Sequence, residues 1–159
     1  MTQTPPEGPS EILLLEDNPG DVILVREALK KHAPTLLTTV CDGEECLKLL
    51  HNRKRTPATN PPNLILLDLH LPRMNGHAIL TELRKDPALR YIPVVIFSSS
   101  DSERDVVRSY ELGANCYVPK PFDLPGFNAV LESIVHFWLK TARLPRRGIS
   151  AEQPSISRT

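Results

Sequence analysis

Apolar residues fall in five short blocks along the chain, and between the blocks they recur at helical spacing. EILLL (11–15) is a short apolar run bounded by charge, which suits a buried strand. Asn18 and Pro19 then supply a helix N-cap and a first-turn proline. The helix they open is predicted to run to about residue 31, with Val22, Val25 and Leu29 on one face, and Pro34 closes it. Residues 36–40 read as a second strand, and 43–52 as a second helix carrying Cys46, Leu47, Leu49 and Leu50. A polar connection (53–62) leads to LILL (64–67), the clearest buried strand, which ends on Asp68. A turn at Pro72 precedes a third helix over 76–84, and VVIF (94–97) forms a fourth strand running into three serines. Ser100 and Glu103 have the spacing of a capping box for a fourth helix that stops at Gly113. Residues 115–118 are a short fifth strand before Lys120, and the last helix is predicted over 124–140.

A helix thus lies between each successive pair of strands, and the strands are continuously apolar. That predicts an α/β fold, a doubly wound five-stranded parallel sheet with helices on both faces, in the order 2-1-3-4-5. Residues 1–10, rich in Pro, Thr and Gly, read as a disordered lead-in and 141–159 as a flexible tail, leaving 11–140 as one domain. In the last helix Leu124, Phe127, Leu131, Ile134, Val135 and Trp138 form one stripe, predicted to face the sheet. Val130 and Phe137 fall off that stripe. A second apolar strip predicts a homodimer through the face made by the fourth helix, fifth strand and fifth helix.

Composition narrows the classes of function. Nineteen basic residues balance nineteen acidic ones, which argues against direct binding to nucleic acid; the basic tail residues Arg143, Arg146, Arg147 and Arg158 read as solvated. No apolar run approaches the ~20 residues needed to cross a bilayer, and the first residues lack a secretory pattern. Cys41, Cys46 and Cys116 are odd in number and widely spaced, so they read as reduced thiols, the first two as packing residues. A cytoplasmic protein is expected.

The chemistry lies just past the strand ends, where ligands bind in sheets of this kind. Glu16 and Asp17 follow the first strand, Asp68 the third, Ser98 the fourth and Lys120 the fifth. Three carboxylates in one crevice repel: at ~5 Å and an effective dielectric of ~20, each pair costs roughly 3 kcal/mol. They must take up protons, pair with Lys120 or bind a cation, and an all-oxygen site suits Mg²⁺ better than zinc. Asp68, held by the central strand, is the best candidate for a nucleophile toward a phosphoryl group, with Lys120 and Ser98 pairing its oxygens.

Together LLLEDNPGD (13–21), LILLDLHLPRMNG (64–76), VVIFSSS (94–100) and YVPKPF (117–122) resemble the two-component response-regulator receiver domain, over about residues 11–140. The resemblance implies a flavodoxin-like receiver fold in which Glu16 and Asp17 organise Mg²⁺ and Asp68 accepts phosphate from a kinase phosphohistidine. It further implies the backbone carbonyl of His70 as a metal ligand, Ser98 and Tyr117 as the switch pair and Lys120 as the phosphate-contacting lysine. DNPGDVILVREAL, ANCYVPKP and HFWLKTARLP (136–145) are similar to the stand-alone receivers paired with bacterial phytochrome kinases, so a sensor histidine kinase of phytochrome type is the expected partner. A phosphorelay intermediate or phosphate sink for another kinase is the alternative. About 19 residues follow the last helix, so no output domain is expected and signalling would run through protein contacts. Such a chain is no enzyme beyond its own phosphorylation and slow dephosphorylation. Three competing readings fit less well. An aspartyl phosphatase wants a second acid where His70 stands, a flavin carrier wants a glycine- and hydroxyl-rich loop where Glu16 and Asp17 stand, and a pseudo-receiver would lack Asp68 or Lys120. The side chain of His70 reads as an exposed loop histidine that could affect the phosphorylated state. His32, His51, His77 and His136 read as structural or surface residues without matching partners.

Overall fold

Five parallel strands form one sheet in the order β2-β1-β3-β4-β5. They are β1 Ser10–Leu15, β2 Thr35–Val40, β3 Leu64–Leu67, β4 Val94–Ser98 and β5 Cys116–Pro119. Helices α1 Pro19–Leu29, α2 Gly43–Lys54, α3 Gly76–Lys85, α4 Glu103–Glu111 and α5 Leu124–His136 alternate with them. The expected doubly wound α/β topology is therefore the observed one. The computed structural model describes residues 8–32, 34–54 and 60–145. Most of the expected lead-in and tail, including Arg146, Arg147 and Arg158, and the middle of the 53–62 connection lie outside the described residues.

Strand β3 pairs with β1 on one side and β4 on the other, and all four of its residues are buried. A strand covered on both faces has no use for alternation, which is why LILL is apolar throughout. Side-chain direction still alternates and divides the interior in two. Leu13, Leu15, Ile65, Leu67, Val94 and Ile96 join Cys46 and Leu50 of α2 and Ile79, Leu80 and Leu83 of α3. Ile12, Leu14, Leu64, Leu66, Val95 and Phe97 join Val25 and Leu29 of α1 and Phe127, Leu131, Ile134 and Val135 of α5. Each fully buried aliphatic side chain contributes about 1.5–3 kcal/mol of transfer free energy, so both helix layers are held by this one sheet.

The structure corrects several local expectations. Ser102, not Ser100, caps α4, its hydroxyl accepting from the Asp105 N–H at 3.2 Å. Ser-x-x-acid occurs three times here, at 98–101, 100–103 and 102–105. Ser100 is held in the loop because its N–H donates to Ser98 Oγ and its carbonyl accepts from the Tyr117 hydroxyl. The other end follows expectation: Gly113 has φ 98°, its N–H bonds the Tyr110 carbonyl, and the Ala114 N–H bonds that of Ser109. Strand β1 begins at Ser10, inside the expected lead-in. The last helix is not uniform to residue 140. α5 ends at His136, and Phe137–Thr141 form a π turn closed by the Ala142 N–H on the Phe137 carbonyl. Leu124, expected on the sheet-facing stripe, is half exposed as the first residue of α5. Val130, expected off it, packs against the α1–α5 core, because contact with α1 widens the covered face of α5 beyond one stripe. All three cysteines are free; Cys46 packs in the core, whereas Cys41, just past the edge strand β2, is exposed. Among the described residues no helix is long and apolar enough to cross a membrane.

Candidate functional site

Three main-chain hydrogen bonds extend the strand ladders beyond the strands themselves. The Glu16 N–H donates to the Val40 carbonyl (3.1 Å), the Asp68 N–H to that of Leu15 (3.0 Å) and the Lys120 N–H to that of Ser98 (2.7 Å). These bonds anchor the backbones of Glu16, Asp68 and Lys120 to the carboxyl-terminal edge of the sheet, where the alternating helices leave a crevice.

Glu16 is 3% and Asp68 5% exposed. With the exposed Asp17 they bring one carboxylate oxygen each within 4.8 Å of the others. Lys120 Nζ donates to Glu16 Oε2, to Asp21 Oδ2 at 2.8 Å and to Asp68 Oδ2 at 3.3 Å. Its charge also lies 5.9 Å from the centre of the Phe97 ring. Glu16 is held at its other oxygen too, accepting from the Asn18 N–H at 3.1 Å. Asn18 in turn caps α1, accepting from the N–H groups of Gly20 and Asp21. The local sequence Glu-Asp-Asn-Pro-Gly-Asp thus starts the helix and orients the acids in one stroke.

Three carboxylates share one amine, with Asp17 beside two of them, and the imbalance is visible in Glu16. Burial pushes its pKa up from the ordinary range to about 7; the Asp68 charge adds to this, and the hydrogen bond and charge of Lys120 and the Asn18 N–H oppose it. A carboxyl whose folded pKa is raised contributes stability that is fully present below its unfolded pKa of 4.5 and lost as pH rises through about 7. For Lys120 burial pulls the pKa down, but the hydrogen bonds it donates to Asp21 and Glu16 and the charges of Glu16 and Asp68 outweigh it, so the net shift is upward and the amine stays charged. The crevice therefore holds excess negative charge on oxygen donors at neutral pH. A hard divalent cation fits that donor set.

Ser98, the last residue of β4, is fully buried, whereas Ser99 is exposed. Of the three serines only the first lies inside the sheet edge, and its hydroxyl accepts from the Ser100 N–H at 3.3 Å. Tyr117 is half-buried; its hydroxyl donates to the Ser100 carbonyl at 2.7 Å, and burial pushes its pKa up. Ser98 and Tyr117 therefore meet on the same short loop. His70 is exposed, and its N–H donates to Asp68 Oδ1 at 3.3 Å. His77 does have a partner: Nε2 lies 2.9 Å from the buried Ser109 hydroxyl, which donates to the Asp105 carbonyl, tying α3 to α4. The residue that sequence reasoning missed is Asp21. Its signal was an acid in the first turn of α1, but only the tertiary structure shows that it reaches Lys120.

Residues 12–132 match the family model of the response regulator receiver domain. This chain belongs to that family. It is 40% identical over 138 residues to the response regulator Rcp1 of Synechocystis sp., a match covering 86% of this chain and 94% of Rcp1. The crystal structure of the Mn²⁺-bound form of Rcp1 is similar, with a TM-score of 0.79 over 86% of this chain and 99% of that one. The crystal structure of the phosphorylated cyanobacterial phytochrome response regulator RcpA, also 40% identical, has a TM-score of 0.81 over 87% and 99%. The receiver is thus homologous to phytochrome response regulators of two-component signalling, and its acidic cluster is of the divalent-metal-binding kind.

Proposed function

We propose that Asp68 accepts a phosphoryl group from the phosphohistidine of a sensor histidine kinase of phytochrome type, and that the protein then signals through protein contacts in the cytoplasm, without touching nucleic acid. The observation that carries this reading is the buried Asp68 carboxylate with Lys120 Nζ 3.3 Å away, inside a cluster that also holds Glu16 and Asp17. The kinase type is supported by likeness to Rcp1 and RcpA over nearly their whole length.

An Asp68 oxygen forms the new bond to phosphorus as the P–N bond to the kinase histidine breaks; the imidazole keeps the bonding electrons and takes up a proton. Lys120 balances the charge delivered to Asp68, and its burial makes that charge count for more than it would in water. Bound Mg²⁺, held by Glu16, Asp17, Asp68 and the backbone carbonyl of His70, would supply the positive charge that lets two anions approach. The Ser98 hydroxyl donates its proton to a phosphoryl oxygen, and Tyr117 leaves the Ser100 carbonyl to follow it. The chain is a phosphoacceptor acting on itself and turns over no separate substrate.

Incubation with acetyl phosphate and Mg²⁺ is expected to add one phosphoryl group to the wild type, read by intact mass and removed by hydroxylamine. Asp68→Asn should take up none. An unlabelled wild type, or equal labelling of the variant, overturns the proposal.

A homodimer through α4, β5 and α5 belongs to the same proposal. Exposed Val107 and Tyr110 on α4 and Phe137 after α5 support it, in place of Val130. Light scattering should find a dimeric wild type and a monomeric Phe137→Glu; a monomeric wild type refutes it.

A further inference from the structure

We propose that Asp21 is a positioning residue for phosphoryl acceptance, the exchangeable partner that holds Lys120 at rest and releases it to the incoming phosphoryl group. The inference rests on Asp68 being the acceptor. A lysine ammonium has three N–H donors, and here all three are taken, by Glu16, Asp21 and Asp68. A phosphoryl oxygen that pairs with Lys120 must therefore displace one of them.

The three carboxylates differ in what that displacement leaves behind. The Glu16 side chain is 2% exposed, and without Lys120 it would be a buried charge lacking its counter-ion. Asp68 is the atom source for the new bond and stays beside the amine. Asp21 is 24% exposed, so water can replace Lys120 there. It also lies in the first turn of α1, where the helix dipole favours negative charge. Asp21 is thus the partner that is released at least cost. At rest it is also the tighter one: Lys120 sits 2.8 Å from Asp21 and 3.3 Å from Asp68, drawn toward α1 and off the acceptor. Removing the Asp21 carboxylate frees a donor and takes one negative charge from the crevice, and both changes favour the phosphoryl group.

Beryllofluoride at saturating Mg²⁺, a phosphoryl mimic counted by ¹⁹F NMR on the full chain, tests this. Asp21→Asn is expected to lower the midpoint for bound beryllofluoride about two- to fivefold, the worth of a partly exposed ion pair. Asp21→Glu, whose longer arm keeps the charge and reaches the same amine, should restore the wild-type midpoint. Loss of a merely structural contact would weaken binding, so the direction separates the two roles. An Asp21→Asn midpoint equal to or above the wild type, with the wild type binding normally, overturns the role of Asp21 alone. A folded wild type that binds no beryllofluoride overturns it together with the acceptor reading beneath it.

Discussion

Replacing Lys120 with methionine is expected to destabilise the metal-free protein by on the order of 3 kcal/mol at pH 8 and by far less at pH 5. Methionine preserves the unbranched bulk of the side chain but leaves Glu16 and Asp68, both almost fully buried, without their counter-ion. In the wild type burial already lifts Glu16 to about 7, held from going higher by the hydrogen bond and charge of Lys120. Without the amine Glu16 binds its proton more tightly still, so the folded state gains from protonation over a wider range. The sign follows: stability attached to a raised carboxyl is complete at acid pH and is lost as pH rises through its folded pKa. Urea unfolding in EDTA at the two pH values measures the difference, and saturating Mg²⁺ at pH 8 should recover part of the loss. A penalty equal at both pH values would show that Lys120 contributes by packing rather than by charge.

Gly76→Ala is the second large expectation, and it comes from sterics. A Cβ at Gly76 would lie 2.6 Å from the Asp68 carbonyl oxygen and 2.9 Å from Leu69 Cα. Both obstacles are main-chain atoms, so no rotamer change relieves them. The turn is also pinned by the Gly76 N–H bond to the Leu69 carbonyl at 3.0 Å, so helix and strand cannot part without breaking it. Overpacking of this kind costs about 1–3 kcal/mol. The displacement falls on the backbone that carries the acceptor, so phosphorylation by acetyl phosphate should slow at least about tenfold. Thermal unfolding and the labelling rate, measured on the same preparation, check both halves. A variant with wild-type stability and rate would mean that α3 can start further from Asp68.

Much of the architecture is legible in the sequence. Continuous apolar runs such as LILL mark strands buried on both faces, and Asn18-Pro19 and Gly113 mark helix ends by local hydrogen bonding alone. Because each strand end was legible, so was the gathering of Glu16, Asp17, Asp68, Ser98 and Lys120 at one edge. Burial supports the choice of Ser98 over Ser99 and Ser100, since three equivalent hydroxyls differ in nothing but their place relative to the sheet edge.

Hydrophobic period and turn chemistry act between residues close in the chain, so the sequence by itself determined the element order, the parallel topology and the main polar cluster. It left open every choice between local options of similar free energy. Ser100 or Ser102 could have capped α4 until the Tyr117 hydroxyl took the Ser100 carbonyl. Val130 could have faced water until α1 packed across α5, and Leu124 could have faced the core. Asp21 was one more acid in a first turn until folding set Lys120, 99 residues away in the chain, at 2.8 Å. Contacts of that range are decided by how whole layers dock, a property no window of sequence contains.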